Sequence, residues 1–202
     1  MENIAHGLFP WMVHRQNRGL ILHLAGIPIM NKIIGLTGVM STPSRTEGLV
    51  GHLTEAFVSQ TGYRHSLINL KDFGESLPLA KTLADLDQNA RERVDEIINA
   101  DALIVGVPTW NAGYPGMFKH LFDLIPPDAI IDKPVILSAT GGSDRHALMP
   151  EYQLRPLFTY LRTRVATTTL FATTNDFDGN QFSPEFENRM LRAVNELKAL
   201  TH

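Results

Sequence analysis

Three short stretches carry residue types that can hold an anion or a flat ring, and each follows an apolar run. The first is Gly38-Val39-Met40-Ser41-Thr42-Pro43-Ser44-Arg45-Thr46. Opening a helix, it would offer a phosphate group free backbone N–H groups, the hydroxyls of Ser41, Ser44 and Thr46, and the Arg45 guanidinium. The same letters also make a plain Ser/Thr N-cap with a solvent-facing arginine. They fit neither the Gly-Lys-Ser/Thr phosphate loop nor the Gly-x-Gly-x-x-Gly dinucleotide fingerprint. The second stretch is Pro108-Thr109-Trp110-Asn111-Ala112-Gly113-Tyr114-Pro115-Gly116. Its glycines and prolines fix an irregular backbone whose N–H and C=O groups can meet a heterocycle edge-on. Trp110 and Tyr114 add aromatic area, which would serve a ring site or simply core and interface packing. In the third, Thr140-Gly141-Gly142-Ser143, paired glycines allow close approach to a ligand with developing negative charge, or form a tight turn.

Other chemistries are poorly supplied. The chain has no cysteine, which removes disulfides, thiolate metal sites and thiol nucleophiles together. Its eight histidines show no HExxH pairing, so no metal site is expected. His120 and His146 fall near the candidate loops and are read as structural or solvent-facing. Asp176-Phe177-Asp178-Gly179-Asn180 lacks the full calcium-loop pattern and reads as a turn. No Gly-x-Ser-x-Gly nucleophile elbow is present. A net charge of -3 gives no basic stripe for nucleic acid. Arg91, Arg93, Arg162 and Arg164 are read as solvated helix or strand ends.

The elements that must position the loops alternate along the chain. Residues 32–36, 63–70, 102–107, 135–139 and 165–173 read as strands, the third almost wholly apolar as in a sheet covered on both faces. Helical spacing links Leu49, Val50, Leu53, Ala56 and Phe57, then Leu83, Leu86, Ala90, Val94, Ile97 and Ile98. It returns in Met117, Phe118, Leu121, Phe122 and Ile125, in Leu157, Phe158 and Leu161, and in Phe186, Met190, Val194 and Leu197. Such alternation predicts a doubly wound α/β sheet, with ligands beyond the carboxyl ends of its strands. With 202 residues, 44% apolar and 19% charged, one globular domain is expected over residues 30–202.

Residues 1–29 differ. Arg15 and Arg18 precede an apolar run from Gly19 to Ile29, as in a signal peptide. The run is broken by His23, Gly26 and Pro28, lacks an Ala-x-Ala cleavage site and is too short to span a bilayer. The segment is therefore read as an extension outside the core, or as sequence upstream of a start at Met30.

At the three loops the chain resembles the NADPH-dependent FMN reductase family of the flavodoxin-like superfamily, and within it the flavin reductases serving alkanesulfonate monooxygenases. Pro43-Ser44-Arg45-Thr46 is similar to the family's Pro-Ser-Arg-Ser/Thr. The stretch from Gly106 to Lys119 is similar to its Pro-x-Tyr-x-x-x-Tyr-x-Gly-x-x-Lys signature. Thr140-Gly141-Gly142-Ser143 resembles the third flavin loop, and Leu154-Arg155-Pro156-Leu157 the segment after it. The likeness runs from about Lys32 to about Leu200.

The resemblance implies a flavodoxin-like sandwich with a five-stranded parallel sheet in the order 2-1-3-4-5. It implies FMN and NAD(P)H as cofactors, with hydride passing from nicotinamide C4 to flavin N5. Ser41, Ser44, Arg45 and Thr46 would hold phosphate; Pro108, Thr109, Trp110 and Asn111 would meet the ring edge. Tyr114 would shape the stacking face, and Thr140, Gly141, Gly142 and Ser143 would face flavin N1 and O2. No residue is given a catalytic proton, since hydride transfer requires none. Electrons would go to a small-molecule acceptor, or leave as free reduced flavin for a flavin-dependent monooxygenase. A cytoplasmic homodimer or homotetramer is expected, with no membrane or nucleic-acid partner.

The chain departs from the family in two places. Gly38-Val39-Met40-Ser41 stands where Gly-Ser-x-Arg is common, and Trp110 where tyrosine is common. Three other readings compete. One is an enzyme that keeps FMN and reduces quinones, azo dyes or metal oxyanions. Another is a flavodoxin-like electron carrier, although such carriers are usually strongly acidic. The third, a regulatory domain without ligand, draws on Val39 and Met40.

Overall fold

The computed structural model describes residues 31–178 and 181–201, so the expectation for residues 1–29 lies outside the described residues. Strands β1 (Lys32–Thr37), β2 (Arg64–Asn69), β3 (Ala102–Pro108) and β4 (Pro134–Thr140) form a parallel sheet in the order β2-β1-β3-β4. Its far edge is completed by two short strands, β5 (Arg164–Val165) and β6 (Leu170–Ala172), both paired to β4. The helices are α1 (Arg45–Thr61), α2 (Gln88–Asn99), α3 (Gly116–Leu124), α4 (Arg155–Tyr160) and α5 (Pro184–Leu200). A small hairpin of β7 (Phe177–Asp178) and β8 (Gln181–Phe182) precedes α5. The flavodoxin-like order 2-1-3-4-5 is thus present, with the fifth position divided.

Side-chain alternation along the strands builds two cores. Ile34, Leu36, Leu103, Val105, Leu137 and Ala139 face α2, α3 and α4, while Ile33, Ile104 and Ile136 face α1 and α5. The near-continuous burial of β3 and β4 follows from that double cover. Phe57, Phe118, Phe158 and Phe186 are fully buried, each contributing about 2–3 kcal/mol of apolar transfer free energy.

Small residues let α1 lie close on the sheet. A Cβ at Gly35 would sit 2.9 Å from Val50 Cγ1, and one at Gly106 would sit 2.3 Å from Val50 Cγ2. Ser44 caps α1 by accepting from Thr46 N at 3.2 Å, and Gly62 ends it in the left-handed region at φ 71°.

The expected single strand over residues 165–173 is broken because side chains claim its backbone. Arg155 donates to the carbonyls of Ala166 and Thr167, and Thr168 N donates to Glu196 Oε2 at 2.6 Å. Helix α2 also starts later than the periodicity suggests. Asp87 is its N-cap, accepting from Ala90 N, so Leu83 and Leu86 belong to the preceding turns.

Glu151 and Arg155 form a bidentate pair at 2.5 and 3.0 Å, and Thr169 donates to the same carboxylate. The Arg155 hydrogen bond, partly opposed by burial, holds the Glu151 carboxyl below its ordinary 4.5. A carboxyl depressed in the folded state adds stability above its unfolded value and loses it as pH falls through the folded value. Melting temperature should therefore drop on acidification below about pH 4.5, and Glu151→Gln should flatten part of that drop in a thermal-melt series. Parallel pH profiles for the two proteins would show that this clasp contributes nothing to acid sensitivity.

Candidate functional site

The order β2-β1-β3 reverses the direction of winding between β1 and β3, and that crevice opens at their carboxyl ends. Register sets the three sequence-predicted loops side by side there. Thr37 pairs with Gly106 across β1 and β3, and Pro108 pairs with Thr140 across β3 and β4. Backbone bonds then tie each loop to a neighbouring strand end. Gly38 N donates to Gly106 O at 2.8 Å, Thr109 N to Thr140 O at 2.8 Å, and Gly141 N to Ala172 O at 2.9 Å.

In the first loop, Ser41 is exposed, and the Ser44 hydroxyl accepts from Thr46 N, which leaves its own hydrogen to donate. Thr46 is buried, and its hydroxyl meets that of Thr140 at 2.7 Å, joining the first loop to the third. The Arg45 guanidinium lies 5.7 Å from the centre of the Phe177 ring, a cation–π placement at the β7 hairpin. The N-terminal turn of a helix favours an anion in general, and here the Ser44 cap already takes Thr46 N.

The second loop forms a finger. Trp110 and Gly113 exchange backbone bonds of 2.8 and 3.0 Å around Asn111 and Ala112, which take φ of 48° and 69°. Left-handed backbone is costly for alanine, so the loop holds strain at the rim. Gln153 props it by donating to Ala112 O at 2.7 Å. Trp110 is 53% exposed at the base of the finger. Tyr114 instead turns its ring onto Phe118, with centroids 5.9 Å apart. It lines a groove of about 390 Å³ between α3 and α4, with Phe122, Gln153, Pro156 and Tyr160.

In the third loop, Thr140 is buried, Gly141 is half-buried, and Gly142 and Ser143 are exposed. A Cβ at Gly141 would lie 2.5 Å from the Phe171 ring, so the backbone there can run close to that ring only as glycine. His120 Nε2 is hydrogen-bonded at 2.9 Å to the Leu77 carbonyl, tying α3 to the chain after β2. Asp176 accepts from Thr173 N and Oγ1 at 2.7 and 2.9 Å and closes a turn. Gly179 and Asn180 of that stretch lie outside the described residues.

Sequence reasoning missed the supports. Thr37 Oγ1 donates to Asn69 Oδ1 at 2.6 Å, and Asn69 Nδ2 donates to Glu47 Oε1 at 2.9 Å. This chain, buried at Thr37 and Asn69, ties β1, β2 and the first turn of α1 into one unit. Lys71 then reaches the first loop at two points, through Lys71 N to Val39 O at 3.1 Å and Lys71 Nζ to Thr42 Oγ1 at 2.8 Å. The run Asn69-Leu70-Lys71-Asp72 was a legible signal of a capped turn, since Asp72 accepts from Asn69 N.

One observation tests the rim for a planar ligand. Among the described residues, the Thr109 hydroxyl is buried with no hydrogen-bond partner, a state that costs about 1–3 kcal/mol. A heterocycle edge laid along this loop would supply the partner, while the hydroxyls and N–H groups of the first loop suit a phosphate. The residues present therefore fit FMN.

A doubly wound parallel sheet in the order 2-1-3-4-5, with three loops gathered where its strand order reverses, defines a flavodoxin-like fold. Comparison with known proteins narrows the class. A profile of the NADPH-dependent FMN reductase family matches residues 31–178. The NADH-dependent FMN reductase SfnF of Pseudomonas fluorescens (strain Pf0-1) is 38% identical over 168 residues, covering 83% of this chain and 90% of that one. An FMN reductase (NADPH) of Pseudomonas aeruginosa is 38% identical over 174 residues, with the same shares covered, 83% and 90%. The solved structure of an oxidoreductase from Corynebacterium diphtheriae superposes with a TM-score of 0.77 at 36% identity, over 85% of this chain and 97% of that one. The chain belongs to the NADPH-dependent FMN reductase family. It is an NAD(P)H-dependent flavin oxidoreductase, with FMN and NAD(P)H as its cofactors.

Proposed function

We propose that this enzyme reduces FMN as a substrate and releases it, supplying a flavin-dependent monooxygenase. The three loops would hold the flavin. Ser41, Ser44, Arg45 and Thr46 take the phosphate, Pro108, Thr109, Trp110 and Asn111 the ring edge, and Thr140, Gly141, Gly142 and Ser143 the N1 and O2 side. The observation that carries this reading is the unpartnered Thr109 hydroxyl at the loop beside the strand-order reversal. Bound FMN supplies the hydride-accepting centre. The chain's own residues orient it, keep one ring edge in a dry loop, and place N–H donors where negative charge grows. Release of flavin is supported by the first loop, where Val39 and Ser41 stand at the positions of the family's serine and arginine.

Relatives named for NADH and for NADPH both match this chain at 38% identity, so either nicotinamide is accepted in the proposal. Among the described residues no helix is long and apolar enough to cross a membrane. A cytoplasmic homodimer or homotetramer completes the reading, with α3 offering the contact.

Gel filtration followed by an absorbance spectrum, then NADH and NADPH oxidation with and without added FMN, tests the proposal. Little retained flavin and oxidation that depends on added FMN are expected. Stoichiometric retained flavin with FMN-independent oxidation of NAD(P)H would replace it with an enzyme that keeps FMN and reduces other acceptors.

A further inference from the structure

We infer that Lys71 is a phosphate-recognition residue, supplying the FMN 5′-phosphate with a second positive charge beside that of Arg45. The inference rests on the proposed FMN site and extends it to the turn after β2.

The first loop carries one cation, Arg45, and its guanidinium leans over Phe177 on the β7 side. Glu47 puts a half-buried carboxylate in the first turn of α1, held by Asn69. A phosphate at this helix start brings roughly two negative charges beside that carboxylate. A compensating cation is needed nearby, and Lys71 is the one fixed to the loop. Its backbone N–H is bonded to Val39 O, and its ammonium to the exposed Thr42 hydroxyl. Among the described residues no carboxylate lies within ion-pair distance of this ammonium, whereas Lys32 is paired with Glu96 and Lys119 with Asp123. An ammonium held by a neutral hydroxyl keeps donors free for an anion. The buried Thr37–Asn69 bond sets the register of the turn that carries Lys71.

FMN and riboflavin share the ring and differ in the phosphate, so flavin-fluorescence titration with both isolates the charge. Lys71→Met should weaken FMN binding about five- to tenfold at low salt and leave riboflavin binding within about twofold. The difference should shrink at roughly 0.5 M salt, where the screening length approaches the contact distance itself. Lys71→Arg should restore most FMN affinity. Thr42→Val, which removes the tether but keeps the charge, should cost less than Lys71→Met. Equal losses for FMN and riboflavin would overturn the inference in favour of a loop-ordering role. A loss confined to the KM for NADPH, with FMN affinity intact, would overturn it in favour of the nicotinamide nucleotide. Wild-type protein that fails to bind FMN would remove the site reading itself, an outcome distinct from a failed Lys71 effect.

Discussion

Gly106→Ala should destabilise the protein by about 3 kcal/mol and weaken FMN binding by on the order of tenfold to a hundredfold. The added Cβ would meet Val50 Cγ2 at 2.3 Å and Ser138 Oγ at 2.9 Å. Val50 is β-branched and buried, with little rotamer freedom to yield. Relief must come from moving α1 off the sheet. That movement pulls Thr46 from Thr140 and strains the Gly38–Gly106 bond, so fold and site suffer together. Gly48→Ala in the same helix is the control, because a Cβ there meets nothing within 4 Å. It should gain about 0.5–1 kcal/mol from helix propensity. Denaturant midpoints and flavin titrations of the two variants decide the matter; a Gly106→Ala protein as stable as wild type would show that α1 is less closely seated.

Lys133→Met is expected to cost about 3 kcal/mol. Lys133 is fully buried at the start of β4, and its ammonium donates to Ile98 O at 3.0 Å and to Ala100 O. These carbonyls stand at the carboxyl end of α2, where a helix leaves its last acceptors unpaired and favours a cation. Methionine fills the volume and satisfies neither carbonyl. The expected result is a lower denaturant midpoint with an unchanged slope and near-normal flavin affinity, since this end of the sheet lies opposite the rim. A shift below about 0.5 kcal/mol would mean the carbonyls find other donors.

Burial on both faces made the central strands legible. Residues 32–36, 102–107 and 135–139 were readable as apolar runs, and the observed strands Lys32–Thr37, Ala102–Pro108 and Pro134–Thr140 agree within a residue or so. The three candidate loops were legible for the same reason, since strand ends in a doubly wound sheet fix where ligand loops begin. The fifth strand was not. Its β-branched run predicts extended backbone, and nothing local reveals that Arg155, Glu151 and Glu196 will take its hydrogen bonds. Lys71 and Gln153 escaped notice because they act on loops 29 and 41 residues away, and only the folded register brings them there. The ring direction of Tyr114 was not legible either, because it depends on Phe118.

The chain between the third loop and α4 contains a π-type turn, Pro150–Leu154, closed by Arg155 N reaching back to Pro150 O. Each residue added to or taken from a helical segment rotates the residues beyond it by about 100°. Gln153 sits inside that turn and steadies the Ala112 carbonyl across the groove. The turn therefore works as a spacer of fixed phase: its extra residue aims one amide at the tip of the finger, and shortening it would leave the left-handed Ala112 without that outside support.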